Sequence, residues 1–229
     1  MPRTIVFIDG FNLYYSCLRG TAFKWLDVVA LFRDEILKAQ DPNTELVGVR
    51  YFTAPIKASY ARHGVASEQA QTQYHRALAA RHAQMLQVVQ GFHTFEVVDL
   101  PAHAPGMAAN KSARSAVWVI EEKQTDVNLA LAVYRAAIRG ECEQIVVCSN
   151  DGDVEPALRL VRQDVPAIRV GLVLPLPEPA PGRVRFANKR LTGLAHWVRH
   201  HIRDEELSRA QMPARVPTRK KPAIKPPHW

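Results

Sequence analysis

Cysteine is scarce in this chain: three residues in 229, at Cys17, Cys142 and Cys148. None forms a CxxC pair and their number is odd, so neither a disulfide framework nor a zinc site is expected. A reducing cytoplasm suits such a chain. No apolar run approaches the roughly 20 residues that cross a bilayer as a helix, so no membrane is expected as a partner. The N-terminus, MPRTIVFIDGFN, has an apolar run of about five residues before Asp9, too short for a signal peptide. No GxGxxG follows a strand-like run: DGFN has one glycine, too few to cradle a pyrophosphate. The nine histidines show no HExxH spacing, and His63, His75, His82, His200 and His201 read as surface residues. No internal repeat is visible. Acid is missing from Arg209–Trp229, which holds six basic residues, so most of the formal charge of +8 sits there. Such a tail either attracts an anionic partner such as nucleic acid or is a solubilising extension.

What is present is a chain 47% hydrophobic, able to bury one sizeable core. TIVFI (4–8) and QIVVC (144–148) are continuous apolar runs, as in strands covered on both faces. ELVGVRYFTA (45–54) and AIRVGLVLP (167–175) read as further strands, MLQVVQ and HTFEVVDL as one or two more around Gly91, and SAVWVIEE as a strand or an extended arm. Helices are expected over 27–39, from Ser67 as N-cap to about Met85, over 127–138 and over 154–163. The apolar stripe of the helix at 127–138 is expected to be Val127, Ala130, Leu131, Tyr134 and Ile138. KRLTGLAHWVRHHIRDEEL reads as a closing helix after a proline-rich loop at 175–182. Alternating strands and helices imply an α/β fold with a mainly parallel sheet. Residues 1–208 are expected to form the domain, and 209–229 a basic, proline-rich tail that lies on it or stays mobile.

The chemistry collects at strand ends. Open parallel sheets bind ligands outside the carboxyl ends of their strands. Asp9 follows the first strand, Asp151 and Asp153 follow the strand at 144–148, and Asp126 opens a helix. Each alone could cap a helix. Four carboxylates at one sheet edge need a cation, and hard oxygen donors select Mg²⁺ or Mn²⁺. Such sites serve phosphoryl chemistry, in which the metal activates water and offsets phosphate charge. Asn12 and Ser149 stand beside the acids and could orient a water or a phosphate.

IDGFNLYYS, EEKQTDVNLAL and VVCSNDGDVEPAL resemble, in order, the three signature blocks of the NYN domain family, LabA-like branch, within the PIN-like nuclease superfamily. The resemblance runs from residue 3 to about 175, and VPTRKKPAIKPPHW is similar to tails of one bacterial subgroup. It implies a Rossmann-like, PIN-like three-layer α/β/α fold and a metal-dependent ribonuclease acting on RNA phosphodiester bonds. It places Asp9, Asp126, Asp151 and Asp153 as Mg²⁺ or Mn²⁺ ligands and catalytic residues. Asn12, Ser149 and Lys123 are placed against the substrate, Lys123 on phosphate. RNA is the partner implied, with self-association into a homo-oligomer left open. One departure is Ala132, where many relatives carry another acid.

Three rivals stand beside this reading. A haloacid-dehalogenase-like phosphatase needs an acid two residues after Asp9, where Phe11 stands. An RNA-binding or regulatory module with little catalysis would use the basic tail and Trp229 to grip phosphate and stack on a base, unless Trp229 packs back on the domain. Some similar proteins are assigned as hydroxylases of a succinoylpyridine compound, although no residues here form a recognisable flavin or nicotinamide site.

Overall fold

The computed structural model describes residues 1–103, 105, 106, 108, 110–179 and 186–229, so part of the expected loop at 175–182 and part of the loop at 100–112 lie outside the described residues. The strands are β1 Arg3–Asp9, β2 Glu45–Thr53, β3 Leu86–Gln90, β4 Phe92–Pro101, β5 Arg114–Lys123, β6 Gln144–Cys148, β7 Arg169–Val173, β8 Trp197–Arg199, β9 Arg215–Val216 and β10 Ala223–Ile224. Six of them make one sheet in the order β3-β2-β1-β6-β7-β8, with every neighbouring pair parallel. Strands β4 and β5 form a separate antiparallel hairpin.

Side-chain alternation on β1 explains the three layers. Val6 and Ile8 enter one core with Leu13, Leu31, Tyr74 and Leu207, from the helices over 10–18, 28–40, Val65–Arg81 and Asp204–Arg209. Ile5 and Phe7 enter the other with Leu129 and Leu158, from the helices Thr125–Ile138 and Glu155–Asp164. With both faces covered, β1 has no polar side, which is why its sequence does not alternate. The fold is a Rossmann-like, PIN-like α/β/α sandwich.

Several local expectations are corrected. The expected closing helix is a short helix, Lys189–Thr192, then edge strand β8, then helix Asp204–Arg209. Gly171 makes β8 fit: a Cβ there would stand 2.2 Å from the Trp197 ring. The indole Nε1 donates to Gln144 Oε1 (3.0 Å), and Gln144 Nε2 donates to Thr4 Oγ1 (2.9 Å). Gly171→Ala should therefore destabilise by about 2 kcal/mol, the usual scale of overpacking. Urea unfolding would show a lower midpoint at unchanged slope, whereas wild-type stability would mean that the indole moves freely.

The helix expected from Ser67 starts at Val65. Gly64, at φ 51°, turns the chain into it, and the Ser67 hydroxyl accepts from the His63 N–H (3.3 Å) instead of capping. On helix Thr125–Ile138 the buried stripe is Thr125, Leu129, Val133, Ala136 and Ala137, while Val127, Leu131 and Ile138 face outward. The sequence is apolar on both sides, and the face that packs is set by β1 and its neighbours. His75 and His82 are not surface residues. Burial lowers His75 to about 4, and His82 Nε2 lies 2.7 and 2.9 Å from the oxygens of buried Asp27.

The C-terminal segment lies on the domain. The Met212 N–H donates to Trp25 O (3.0 Å), and Trp25 Nε1 donates to Pro213 O (2.8 Å). Val216 and Ala223, on β9 and β10, are buried in the first core. The Trp229 ring packs 6.2 Å from Trp25 and 5.6 Å from Tyr74.

Candidate functional site

In the strand order, β1 and β6 are neighbours from which the chain runs outward in both directions. Brought side by side, their carboxyl ends leave a crevice, the usual ligand site of such sheets. A cleft of about 360 Å³ opens there. Asp9, Glu122, Asp126 and Asp151 line it with Phe11, Asn12, Tyr15, His93 and Ile120. A second hollow, of about 390 Å³, shares Phe11, Asn12, Tyr15 and Asp151 and adds Ser16, Asn150, Gly152 and Leu176.

Each acid arrives by a different local route. Asp9 is the last residue of β1 and caps the helix that follows: its Oδ1 accepts from the Asn12 N–H (2.8 Å). Its Oδ2 accepts from the Ser149 hydroxyl (3.0 Å), which in turn accepts from the Asp151 N–H (3.0 Å). Ser149 is buried and outside the cleft lining, so it ties the end of β1 to the loop after β6. Asp151 Oδ1 caps the next turn by accepting from the Asp153 N–H (3.0 Å), which leaves Oδ2 for the cleft. Asp153 is exposed and does not line the cleft. Asn12 lines it, and its Oδ1 accepts from the Asn150 N–H (3.3 Å).

Asp126 is in the first turn of its helix but does not cap it. Glu122 takes that place, accepting from the Thr125 N–H (3.0 Å) and from the Thr125 hydroxyl. Among the described residues none donates a hydrogen bond to Asp126. Burial first, then the charges of Asp9, Asp151, Glu122 and Asp153, push its carboxyl up to about 6. Burial likewise raises Asp9, against the opposing pull of the Asn12 and Ser149 hydrogen bonds.

Lys123 points away: it ion-pairs with Glu121 and lies on the other face of β5 from Glu122. Ala132 packs toward the second core, and its carbonyl accepts from Arg50 (3.4 Å). It stands about 240° around the helix from Asp126, so an acid there would not meet this cleft. Glu122 supplies the extra carboxylate from another element. The only sequence signal for it was its place three residues before Thr125 in EEKQTD; His93 and Ile120, from the hairpin, gave none.

The four carboxylates that line the cleft are hard oxygen donors, suited to Mg²⁺ or Mn²⁺, with the His93 imidazole as the one nitrogen donor among the described lining residues. Among the described residues no group of three His, Cys, Asp or Glu side chains is drawn close enough to hold an ion unaided. Asp126, raised by its acidic neighbours and without a donor among the described residues, is the group a bound cation would relieve.

The chain is 38% identical over 241 residues to 6-hydroxy-3-succinoylpyridine 3-monooxygenase HspA of Pseudomonas putida (strain DSM 28022 / S16), covering 99% of this chain and 75% of that protein. Its fold is shared with the crystal structure of a protein of unknown function from Vibrio parahaemolyticus RIMD 2210633. That match has a TM-score of 0.50 at 16% identity, over 89% of this chain and 94% of the other. The family model of the NYN domain matches residues 3–184, and the chain belongs to the NYN domain family.

Proposed function

We propose that this chain is a metal-dependent ribonuclease of the LabA-like branch, hydrolysing RNA phosphodiester bonds in the acidic cleft. The observation that carries this is the convergence of Asp9, Glu122, Asp126 and Asp151, with Asp126 raised by burial and by its acidic neighbours and without a donor among the described residues. Membership of a family with nuclease-like function agrees with it. Asp9, Asp126 and Asp151 would hold Mg²⁺ or Mn²⁺, with Asp153 reaching the ion from the rim. When bound, the ion activates water and offsets phosphate charge. The Asn12 N–H and the Ser149 hydroxyl fix the Asp9 carboxylate, so its orientation is set before substrate arrives. The Asn12 side-chain amide lies on the cleft wall, where it can orient a phosphate oxygen. Phe11 and Tyr15 form an aromatic wall of the cleft. Lys123 would reach phosphate only by leaving Glu121.

The name of the Pseudomonas putida relative supports a second reading, oxygenation of a pyridine compound. The local geometry of the first turn speaks for the nuclease. A dinucleotide site uses its turn glycine to let pyrophosphate approach. Here Gly10 is filled from behind: a Cβ would meet Phe52 O at 2.5 Å and the Tyr51 ring at 2.8 Å. It serves helix–strand packing, with its open side taken.

The test is cleavage of single-stranded and structured RNA with Mn²⁺ or Mg²⁺, with chelator, and with Asp151→Asn. Metal-dependent cleavage that falls about 100-fold or more in the variant is expected. Equal activity in Asp151→Asn at equal purity would end the assignment. Salt-sensitive RNA binding without cleavage would favour the binding module. NADH-dependent oxygen uptake with the succinoylpyridine would favour the oxygenase.

A further inference from the structure

The hairpin β4–β5 leaves the sheet at Gly91 and projects beside the cleft. The turn is tight: a Cβ on Gly91 would stand 2.3 Å from Lys123 O and 2.6 Å from Thr125 Oγ1. In an antiparallel pair, directly opposed residues share a face and successive residues alternate. The register therefore puts His93–Glu122, Phe95–Ile120 and Val97–Trp118 in consecutive rows of one face. The first row and Ile120 line the acidic cleft itself. Tyr60 stacks on Phe95, with ring centroids 4.7 Å apart and planes 28° apart. In the third row Val97 is 59% exposed and Trp118 65% exposed. The three other tryptophans sit in or against the core.

One apolar and aromatic track thus runs from the carboxylates outward for about 13 Å, four residues of strand. Across the cleft, Phe11 meets His93 edge-on at 6.0 Å and stacks toward Tyr15 at 6.3 Å, and Tyr15 is itself exposed. The charged residues on this face are Glu122, Asp99 and, at its far end, Arg114, whose guanidinium donates to the Asp99 carbonyl, so the acids outnumber the base. Such a surface does not attract phosphate by charge. It offers flat rings to flat ligands. Bases inside a duplex are stacked on one another and cannot use it, whereas unpaired bases can.

Resting on the ribonuclease reading, we propose that this face of the hairpin is a base-stacking platform. It holds unpaired nucleotides a few positions from the scissile phosphate, with Trp118 as the outermost contact. The cleft cuts, and the arm selects single-stranded stretches long enough to span both.

Binding in chelator tests it without requiring catalysis. Fluorescence anisotropy would be read with a 12-nucleotide single strand, a 4-nucleotide strand and a blunt duplex, on wild type, Trp118→Ala and Trp118→Phe. The expected result is about tenfold weaker binding of the 12-mer by Trp118→Ala. Trp118→Phe should recover most of it, and the 4-mer and duplex should be indifferent to position 118. Sedimentation of the same proteins controls for a dimer interface. Wild-type affinity for the 12-mer in Trp118→Ala would overturn the platform, as would loss of a dimer as its only effect. If wild type cleaves RNA while both Trp118 variants keep its KM, the platform alone fails. If wild type neither binds nor cleaves RNA, the ribonuclease assignment fails with it.

Discussion

Asn in place of Asp126 is expected to remove RNA cleavage almost completely, by about 10³-fold, while making the metal-free protein more stable at pH 8. The loss follows from its position facing Asp9, Glu122 and Asp151 with no donor among the described residues. Groups that only hold a metal ligand in place are worth roughly 10–100-fold, and a residue that meets the ion should be worth more. The gain in stability follows from the sign of its shift. The folded carboxyl is raised from 3.8 to about 6. Its favourable contribution is complete below pH 3.8 and is lost as pH rises through 6, so at pH 8 the fold carries an ionised group it disfavours. Asp126 is only half-buried, and solvent screening reduces the nominal penalty to about 1 kcal/mol. Asn removes that penalty, so melting in chelator should rise by about 2–4 °C at pH 8 and hardly at all at pH 4. Adding Mn²⁺ should raise the wild-type melting temperature and leave the variant's unchanged. A variant less stable than wild type at pH 8 would mean that Asp126 is structural.

The sheet was legible because burial on both faces leaves a plain mark, the unalternated runs at 4–8 and 144–148. The acids were legible because residues just past such runs must emerge at the carboxyl edge. What stayed hidden depends on contacts distant in sequence. Strand β8 is three residues long and exists because Gly171 leaves room for Trp197. The face of helix Thr125–Ile138 could not be chosen from an apolar pattern present on both sides. Glu122 reads as one more charge on an exposed strand until Thr125 turns it toward the cleft. Ser149 shows what residue type alone cannot tell: its hydroxyl is buried between Asp9 and the Asp151 backbone and ties the two together. The histidines show the reverse error, since nothing in the local sequence of His82 announces a buried partner 55 residues away.

That partner carries the second large effect: Asp27→Ala should cost about 3–5 kcal/mol, the scale for breaking a buried charged pair. Asp27 is 1% exposed and joins three elements. Its Oδ1 accepts from the Ala30 N–H (3.0 Å), capping the helix over 28–40. Arg81 Nε donates to Oδ2 (2.9 Å) from the end of helix Val65–Arg81, with His82 beside it. Its own N–H donates to Ala210 O (2.7 Å), at the start of the segment that returns over the domain. Truncation to Ala removes the cap, worth about 1 kcal/mol, and leaves Arg81 without its counter-charge and His82 without its hydrogen-bond partner. Asp27→Asn keeps a capping oxygen and should lose less. Melting would fall by roughly 6–15 °C for Ala and by clearly less for Asn. Acid adds a separate signature. His82, Ala30 and Arg81 hold the Asp27 carboxyl down, to about 2, against its burial. Its stabilisation is therefore present above pH 4 and is lost as pH falls through 2, an amount of about 2 kcal/mol. Wild type should lose that increment between pH 4 and pH 2, and Asp27→Asn should not. Parallel acid profiles for the two proteins would show that the carboxylate is not what binds these helices together.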